Sequence, residues 1–161
     1  MPDPTLPISA PALVGRRLFA RLFDIFAVAV FVVPVLALTL RDDNDGGVRF
    51  PLVVIVLYGL LPALVEARLL VRTGRTPGKR LSGLAVHDPH GGPPDPWRAV
   101  LRSALAWSLP ALVVLLGGWI GVLASVVGIY GPALATGGRA DLPDLVSGTR
   151  VAFTGDVSDA D

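Results

Sequence analysis

Three charged residues near the start of the chain have the types and spacing of a buried polar site. Arg17, Arg21 and Asp24 stand at i, i+4 and i+7, which places them on one face of a helix. Asp24 lies one turn inside the apolar stretch 22–40. A carboxylate at such a position pairs with a cation, takes up a proton or lines a water-filled path. Arg21 can pair directly with Asp24, and another group can lie between Asp24 and Arg17.

Few other ionisable groups enter apolar sequence. Glu66 and Arg102 lie within later apolar runs, and Asp144 lies in a polar segment after the last one. Charged groups at membrane depth are costly and face protein or water. We therefore predict that these side chains meet Arg17 and Asp24 in a polar cluster.

Other kinds of site are not indicated. His87 and His90 flank Asp88, but Pro89 favours a solvated turn over a metal site. The chain has no cysteine, so it has no thiolate metal site, and its net charge of +1 gives no sign of nucleic-acid binding. The serines of the third apolar run have no histidine nearby. We expect no enzymatic activity, no metal and no cofactor.

The elements that must position the cluster are three apolar runs. Hydrophobic residues make up 52% of the 161 residues and charged ones only 17%, against about 25% charged in soluble domains. Runs 22–40 and 51–71 each have about 20 residues, enough for a helix to cross ~30 Å of hydrocarbon. Run 99–135 is too long for one span, and the helix could be interrupted at Pro110 or at residues 117–119. It is either a hairpin of two short helices or an interfacial helix followed by one span.

Positive charge indicates how these runs are oriented. The only basic residues between the first two runs are Arg41 and Arg49. Lysine and arginine in short loops favour the cytoplasm, so we expect the N-terminus and the connector 73–96 to lie there. The basic residues that favour this orientation are Arg16, Arg17, Arg21, Arg72, Arg75, Lys79, Arg80 and Arg98.

Two short segments read as β-strands. Residues 84–87 and 149–153 each follow a small-residue turn and are apolar enough for half-buried strands. If they pair, they lie on the same side of the membrane, which requires an even number of crossings. This favours four helices, with the third run as the hairpin.

Together these patterns predict an all-α integral membrane bundle of three or four spans, with a small two-stranded β element on the cytoplasmic side. We expect a loose segment over 1–14, a transmembrane domain over 15–153 and an acidic disordered tail over 154–161. The lipid bilayer of the cell membrane is the expected environment. The predicted helices cover about 17–40, 51–72, 99–116 and 118–135.

Three segments resemble the RDD family of small membrane proteins. The first is Gly15–Asp24, GRRLFARLFD. The second is Glu66 followed by Thr73–Val86, which is similar to the pattern T-G-x-T-x-G-K-R-x-x-G-L-x-V. The third is Asp144–Val151, similar to D-x-x-x-G-T-x-V. The resemblance covers roughly residues 15–153, nearly the whole chain.

The resemblance implies which residues form the functional centre. The family is named for an arginine and two aspartates, and Arg17, Asp24 and Asp144 match them. Arg98 and Arg102 fall where the family commonly has an arginine. Pro143 departs from the pattern, since many members have histidine or glycine before the second aspartate. We take Arg17, Asp24 and Asp144 as the functional cluster, with Arg21, Glu66 and Arg102 in support.

The glycine-rich part of the connector has its own interpretation. Gly78 permits a tight turn, and Lys79 and Arg80 follow it. These two cations either contact anionic headgroups, each contact being worth ~1 kcal/mol, or simply hold the loop in the cytoplasm.

Two functions use the same residues. Transport or ion exchange has been suggested for the family; here Asp24 and Asp144 would bind a monovalent cation or proton. So small a chain would then work as a homo-oligomer. Alternatively, the protein is a non-catalytic subunit or adaptor of a larger membrane complex, and the Arg/Asp cluster is structural.

Overall fold

A computed structural model describes residues 10–42, 49–136 and 140–153 of the chain. The predicted tail 154–161 and most of the predicted loose segment 1–14 lie outside these residues. Helix α1 spans Ala10–Asp42 and contains Pro34. Residues 10–14 are therefore helical rather than loose, because Pro11 is acceptable in a first helical turn and apolar residues follow it.

The second apolar run forms three consecutive helical segments. Helix α2 spans Arg49–Val54, a π-helical segment spans Ile55–Leu60, and helix α3 spans Leu61–Thr73. The sequence predicted one helix over 51–72, and the π-helical segment is the unforeseen part. Its hydrogen-bonding pattern changes immediately before Pro62, which has no amide hydrogen to donate to the helical ladder. Gly74, with φ of 65°, ends α3.

Apolar surface remains exposed on both helices. Two stretches among the described residues are long and apolar enough to cross a membrane, Ala12–Leu38 and Leu52–Thr73. The most apolar window of the first is only 11% buried within the protein, and that of the second 28%. Phe31 is 75% exposed. The core helix of a water-soluble domain would bury most of its apolar side chains. Such a large exposed apolar area is instead typical of a lipid-facing surface.

The connector between the second and third runs is ordered by a short helix and a strand. Helix α4 spans Pro77–Leu81, and strand β1 spans Leu84–His87. Thr76 caps α4, since its side-chain oxygen accepts from the amide of Lys79 at 3.3 Å. This hydrogen bond satisfies an amide that has no partner within the helix.

Helix α5 spans Pro96–Ala135, 40 residues. The predicted division into helices 99–116 and 118–135 is wrong in one respect, because the helical backbone is continuous there. Nevertheless, Ala106 and Ile129 line the same small cavity, although a straight helix would separate them by ~35 Å. The helix therefore turns back on itself between these residues, and its two halves lie side by side as expected of a hairpin.

The chain ends in a short helix and a strand that return to the connector. Helix α6 spans Leu142–Ser147, and strand β2 spans Arg150–Phe153. Strands β1 and β2 are antiparallel, with Leu84 opposite Phe153 and His87 opposite Arg150. The predicted strand pairing is therefore confirmed. A buried apolar cluster packs beneath it, formed by Ala20, Ala67, Leu70, Leu84, Val86, Ala99 and Val151.

Candidate functional site

Asp144 is fully buried and binds two arginines. On α6, its Oδ2 lies 3.0 Å from Nη1 of Arg17 on α1, and its Oδ1 lies 2.7 Å from Nε of Arg102 on α5. Thr149 donates to Oδ1 at 3.2 Å. Burial alone would raise the pKa of Asp144, but Arg102 and Arg17 hold it below its ordinary value. The carboxylate is thus stably ionised and joins three helices.

Glu66, on α3, is the second anionic centre and is 4% exposed. Its Oε1 lies 2.8 Å from Nη1 of Arg102 and 3.1 Å from Nζ of Lys79. Its Oε2 lies 3.1 Å from Nη1 of Arg21 and accepts from the indole nitrogen of Trp107 at 2.5 Å. Three cations and an indole therefore surround this carboxylate, which satisfies the requirement that a buried charge be paired.

Arg102 joins the two anionic centres into one network. Its Nε binds Asp144 and its Nη1 binds Glu66. A continuous chain of ion pairs therefore runs from Arg17 to Lys79. The network joins α1, α3, α4, α5 and α6, and so connects the helices that contain all three apolar runs.

Asp24 has different partners from those expected. Its carboxylate accepts from Oγ1 of Thr76 at 2.6 Å and from the amide of Gly78 at 2.8 Å, at the start of α4. The predicted pairing with Arg21 is wrong. Arg21 instead contacts Glu66 and the carbonyl of Ala106, with its guanidinium 4.0 Å from the ring centroid of Trp107. Although Arg21 and Asp24 lie one turn apart on α1, the side chain of each contacts residues of other helices instead.

Gly78 is where α4 approaches α1 most closely. A Cβ atom at this position would lie 2.1 Å from the carbonyl oxygen of Ala20. Only glycine fits there, and this contact brings the amide of Gly78 to Asp24. The glycine is therefore a packing requirement rather than a residue that binds lipid headgroups.

Lys79 also departs from the expected role. It is 8% exposed and pairs with Glu66, whereas Arg80 is exposed. Burial lowers the pKa of Lys79, and Glu66 opposes this effect. The interpretation of Lys79 as a headgroup contact is therefore wrong, because the turn of α4 directs it into the bundle. For Arg80 the prediction stands untested.

Sequence reasoning missed two polar members of the site. Trp107 lies on α5, and its indole donates to Glu66. Asp141 caps α6, accepting from the amide of Asp144 at 2.9 Å, while Asp144 accepts from the amide of Asp141 at 3.3 Å. The D-x-x-D spacing is the signal of such a capping box and was available in the sequence.

The charged side chains surround a small cavity of about 30 Å³. The acidic residues that line it are Asp24, Glu66 and Asp141, and the basic ones are Arg17, Arg21, Lys79 and Arg102. Such a volume holds a water molecule. Among the described residues, no group of three His, Cys, Asp or Glu side chains is arranged to hold a metal ion. The site is thus a mixed-charge cluster.

The family model of the RDD family matches residues 11–148. The chain belongs to the RDD family. This confirms the resemblance found in the sequence and makes the chain a member of a family of membrane proteins. Searches of curated proteins and of solved structures each found no match. In this RDD protein, the arginine and the second aspartate, Arg17 and Asp144, are in direct contact, and the first aspartate binds the connector.

Proposed function

We propose that this RDD protein exchanges a monovalent cation or a proton across the cell membrane through its buried Arg/Asp cluster. The single observation that supports this most is the small cavity lined by charged side chains. Burying six charged side chains is costly, and full pairing would favour a site without a cavity. A cavity edged by ionisable groups gives a small ion a place to bind.

A multi-pass topology is part of this proposal. Helix α1, the helical segment 49–73 and the two halves of α5 would supply four crossings, with the N-terminus in the cytoplasm. The pairing of β1 with β2 supports an even number of crossings, because both strands then lie on one side. The exposed residues Ile120, Val127 and Leu134 on the second half of α5 offer surface for a homo-oligomer.

Ion flux in liposomes tests the proposal. Purified wild-type protein is reconstituted with an internal pH-sensitive dye, and a sodium or potassium gradient is imposed. Wild type should move protons in response to the gradient, and Asp24→Asn should do so more slowly, because Asp24 borders the cavity. Absence of flux from folded wild-type protein would refute the transport proposal.

One observation favours the second candidate, a non-catalytic subunit of a larger membrane complex. Glu66 and Asp144 are saturated with cationic partners, as in a structural network. Under this alternative the wild-type protein gives no flux but co-purifies from membranes with a defined larger assembly. Arg17→Ala would then disrupt that assembly.

A further inference from the structure

Four carboxylates belong to the charged cluster, and two of them, Glu66 and Asp144, are paired with cations. Glu66 binds three cations and Asp144 binds two. Asp24 accepts from a hydroxyl and an amide. Among residues 10–42, 49–136 and 140–153, neither Asp24 nor Asp141 has a cationic nitrogen within 4.0 Å. Within the same residues, the carboxylate of Asp141 accepts one hydrogen bond, from the Asp144 amide, whereas that of Asp24 accepts two.

The surroundings of Asp141 are polar and mostly enclosed. Arg17 faces it from α1, Arg102 and Tyr130 face it from α5, and Asp144 faces it from α6. Burial and the neighbouring Asp144 charge raise the pKa of Asp141, and Arg102 and Arg17 only partly oppose this. Glu66 and Lys79 lie across the cavity, but each is bound to the other. Among the described residues, Asp141 is therefore a cluster carboxylate that has neither a salt bridge nor a second hydrogen bond to stabilise its charge.

Asp141 also borders the cavity, which has room for a water molecule. A proton can move between such a water and the carboxylate without breaking a salt bridge. The same step at Asp144 or Glu66 would leave arginines buried without a counter-ion, which is strongly unfavourable.

Charge balance gives protonation of Asp141 a consequence. The cluster holds four cations, Arg17, Arg21, Lys79 and Arg102, and four carboxylates when Asp141 is ionised. A proton on Asp141 leaves the cluster with one net positive charge, which repels a cation from the cavity. An ionised Asp141 attracts one. A proton and a cation therefore compete for this position.

We propose that Asp141 is the residue that takes up and releases the exchanged proton. The inference rests on the proposed function and assigns its proton site. In the uptake step a hydronium ion in the cavity transfers a proton to a carboxylate oxygen of Asp141: one O–H bond forms on Asp141, one O–H bond of the hydronium breaks, and a neutral water remains. Release reverses this step when a monovalent cation enters.

The capping role of Asp141 can be separated from proton binding. Asparagine caps a helix about as well as aspartate, but its amide does not take up a proton as a carboxylate does. Asp141→Asn should therefore preserve α6 while removing the titration. Asp95→Asn is the matched control, because Asp95 also stands at a helix N-cap and its side chain is 60% exposed.

Flux and a pH profile of thermal stability together test this assignment. In the liposome assay, the cation-driven proton flux of Asp141→Asn should be at least about tenfold lower than that of wild type, which corresponds to an activation barrier ~1.4 kcal/mol higher. The flux of Asp95→Asn should match that of wild type. A group with a raised folded pKa contributes stability below its unfolded pKa and loses it as the pH rises through the folded pKa. The Tm of wild type should therefore fall as the pH rises above the ordinary carboxyl pKa of about 4, and it should fall less in Asp141→Asn.

The outcomes separate this inference from the proposed function. No flux from wild type would overturn the proposed function and this inference with it. Flux retained by Asp141→Asn would overturn only the assignment of the proton to Asp141. Loss of flux with a pH profile identical to that of wild type would also overturn it, because the defect would then be structural.

Discussion

Neighbouring arginines on α1 have opposite environments. Arg17 is 8% exposed and binds Asp144. Arg16 is exposed, makes a long 3.4 Å hydrogen bond to the carbonyl of Ser82 and lies over the ring of Phe153. The sequence favoured Arg17 for the cluster through its spacing from Asp24, and the contact with Asp144 now gives it a different partner.

Replacement of either arginine by alanine makes a matched comparison. Arg17→Ala removes one of the two cations from a buried carboxylate, and breaking such a pair costs about 3 kcal/mol. Arg16→Ala should cost well under that, at about 0.5 kcal/mol, since exposed charges contribute little. Thermal unfolding in detergent should show a clearly lower Tm for Arg17→Ala. Equal melting of the two variants would contradict the assigned burial of Arg17.

At the scale of elements, the cluster depends on how closely short helices approach long ones. Helix α4 reaches α1 only because Gly78 has no side chain, and this approach delivers both Thr76 and the Gly78 amide to Asp24. The capping box of α6 similarly fixes Asp144 where Arg17 and Arg102 meet. Helices of five and six residues are marginal alone, so these contacts stabilise them.

Gly78→Ala should break the contact between α4 and α1. The added Cβ would lie 2.1 Å from the Ala20 carbonyl oxygen, which forces the backbones apart at a cost of about 3 kcal/mol or more. Gly15→Ala on α1 is the control, because a Cβ there meets nothing within 4 Å and alanine favours helix. Melting temperatures should fall for Gly78→Ala and hold or rise for Gly15→Ala. A stable Gly78→Ala protein would show that α4 does not pack as described.

At the scale of the whole molecule, the return of the chain to its own connector determines the topology. Strand β2 pairs with β1, and the two halves of α5 lie side by side. The apolar surfaces of α1 and the segment 49–73 remain outward. The arrangement encloses the charges at one end of the bundle and leaves the apolar faces to lipid.

Reporter fusions check the resulting orientation. A reporter active only in the cytoplasm should be active at both the N-terminus and the C-terminus, because β1 and β2 must share one side. A fusion inserted within residues 43–48 is the control and should be inactive, since one crossing separates this segment from the N-terminus. An inactive C-terminal fusion together with an active N-terminal one would contradict four crossings.

The sequence by itself determined the membrane class, the positions of the first two apolar helices, the strand pairing and the family. These follow from composition, run length and alternation, which act locally along the chain. The sequence also identified most of the charged residues of the site, because a charge within apolar sequence is energetically costly and therefore rare.

Only the tertiary structure decided which charges meet. Arg21 binds Glu66 rather than Asp24, Lys79 turns inward, and Asp141 is left with no cation at salt-bridge distance among the described residues. Partner choice in a buried cluster depends on which side chains from distant segments come within about 3 Å, and spacing along one helix does not contain that information. The folded chain supplies it: the approach at Gly78 joins residues 54 positions apart, and the contact of Arg17 with Asp144 joins residues 127 positions apart.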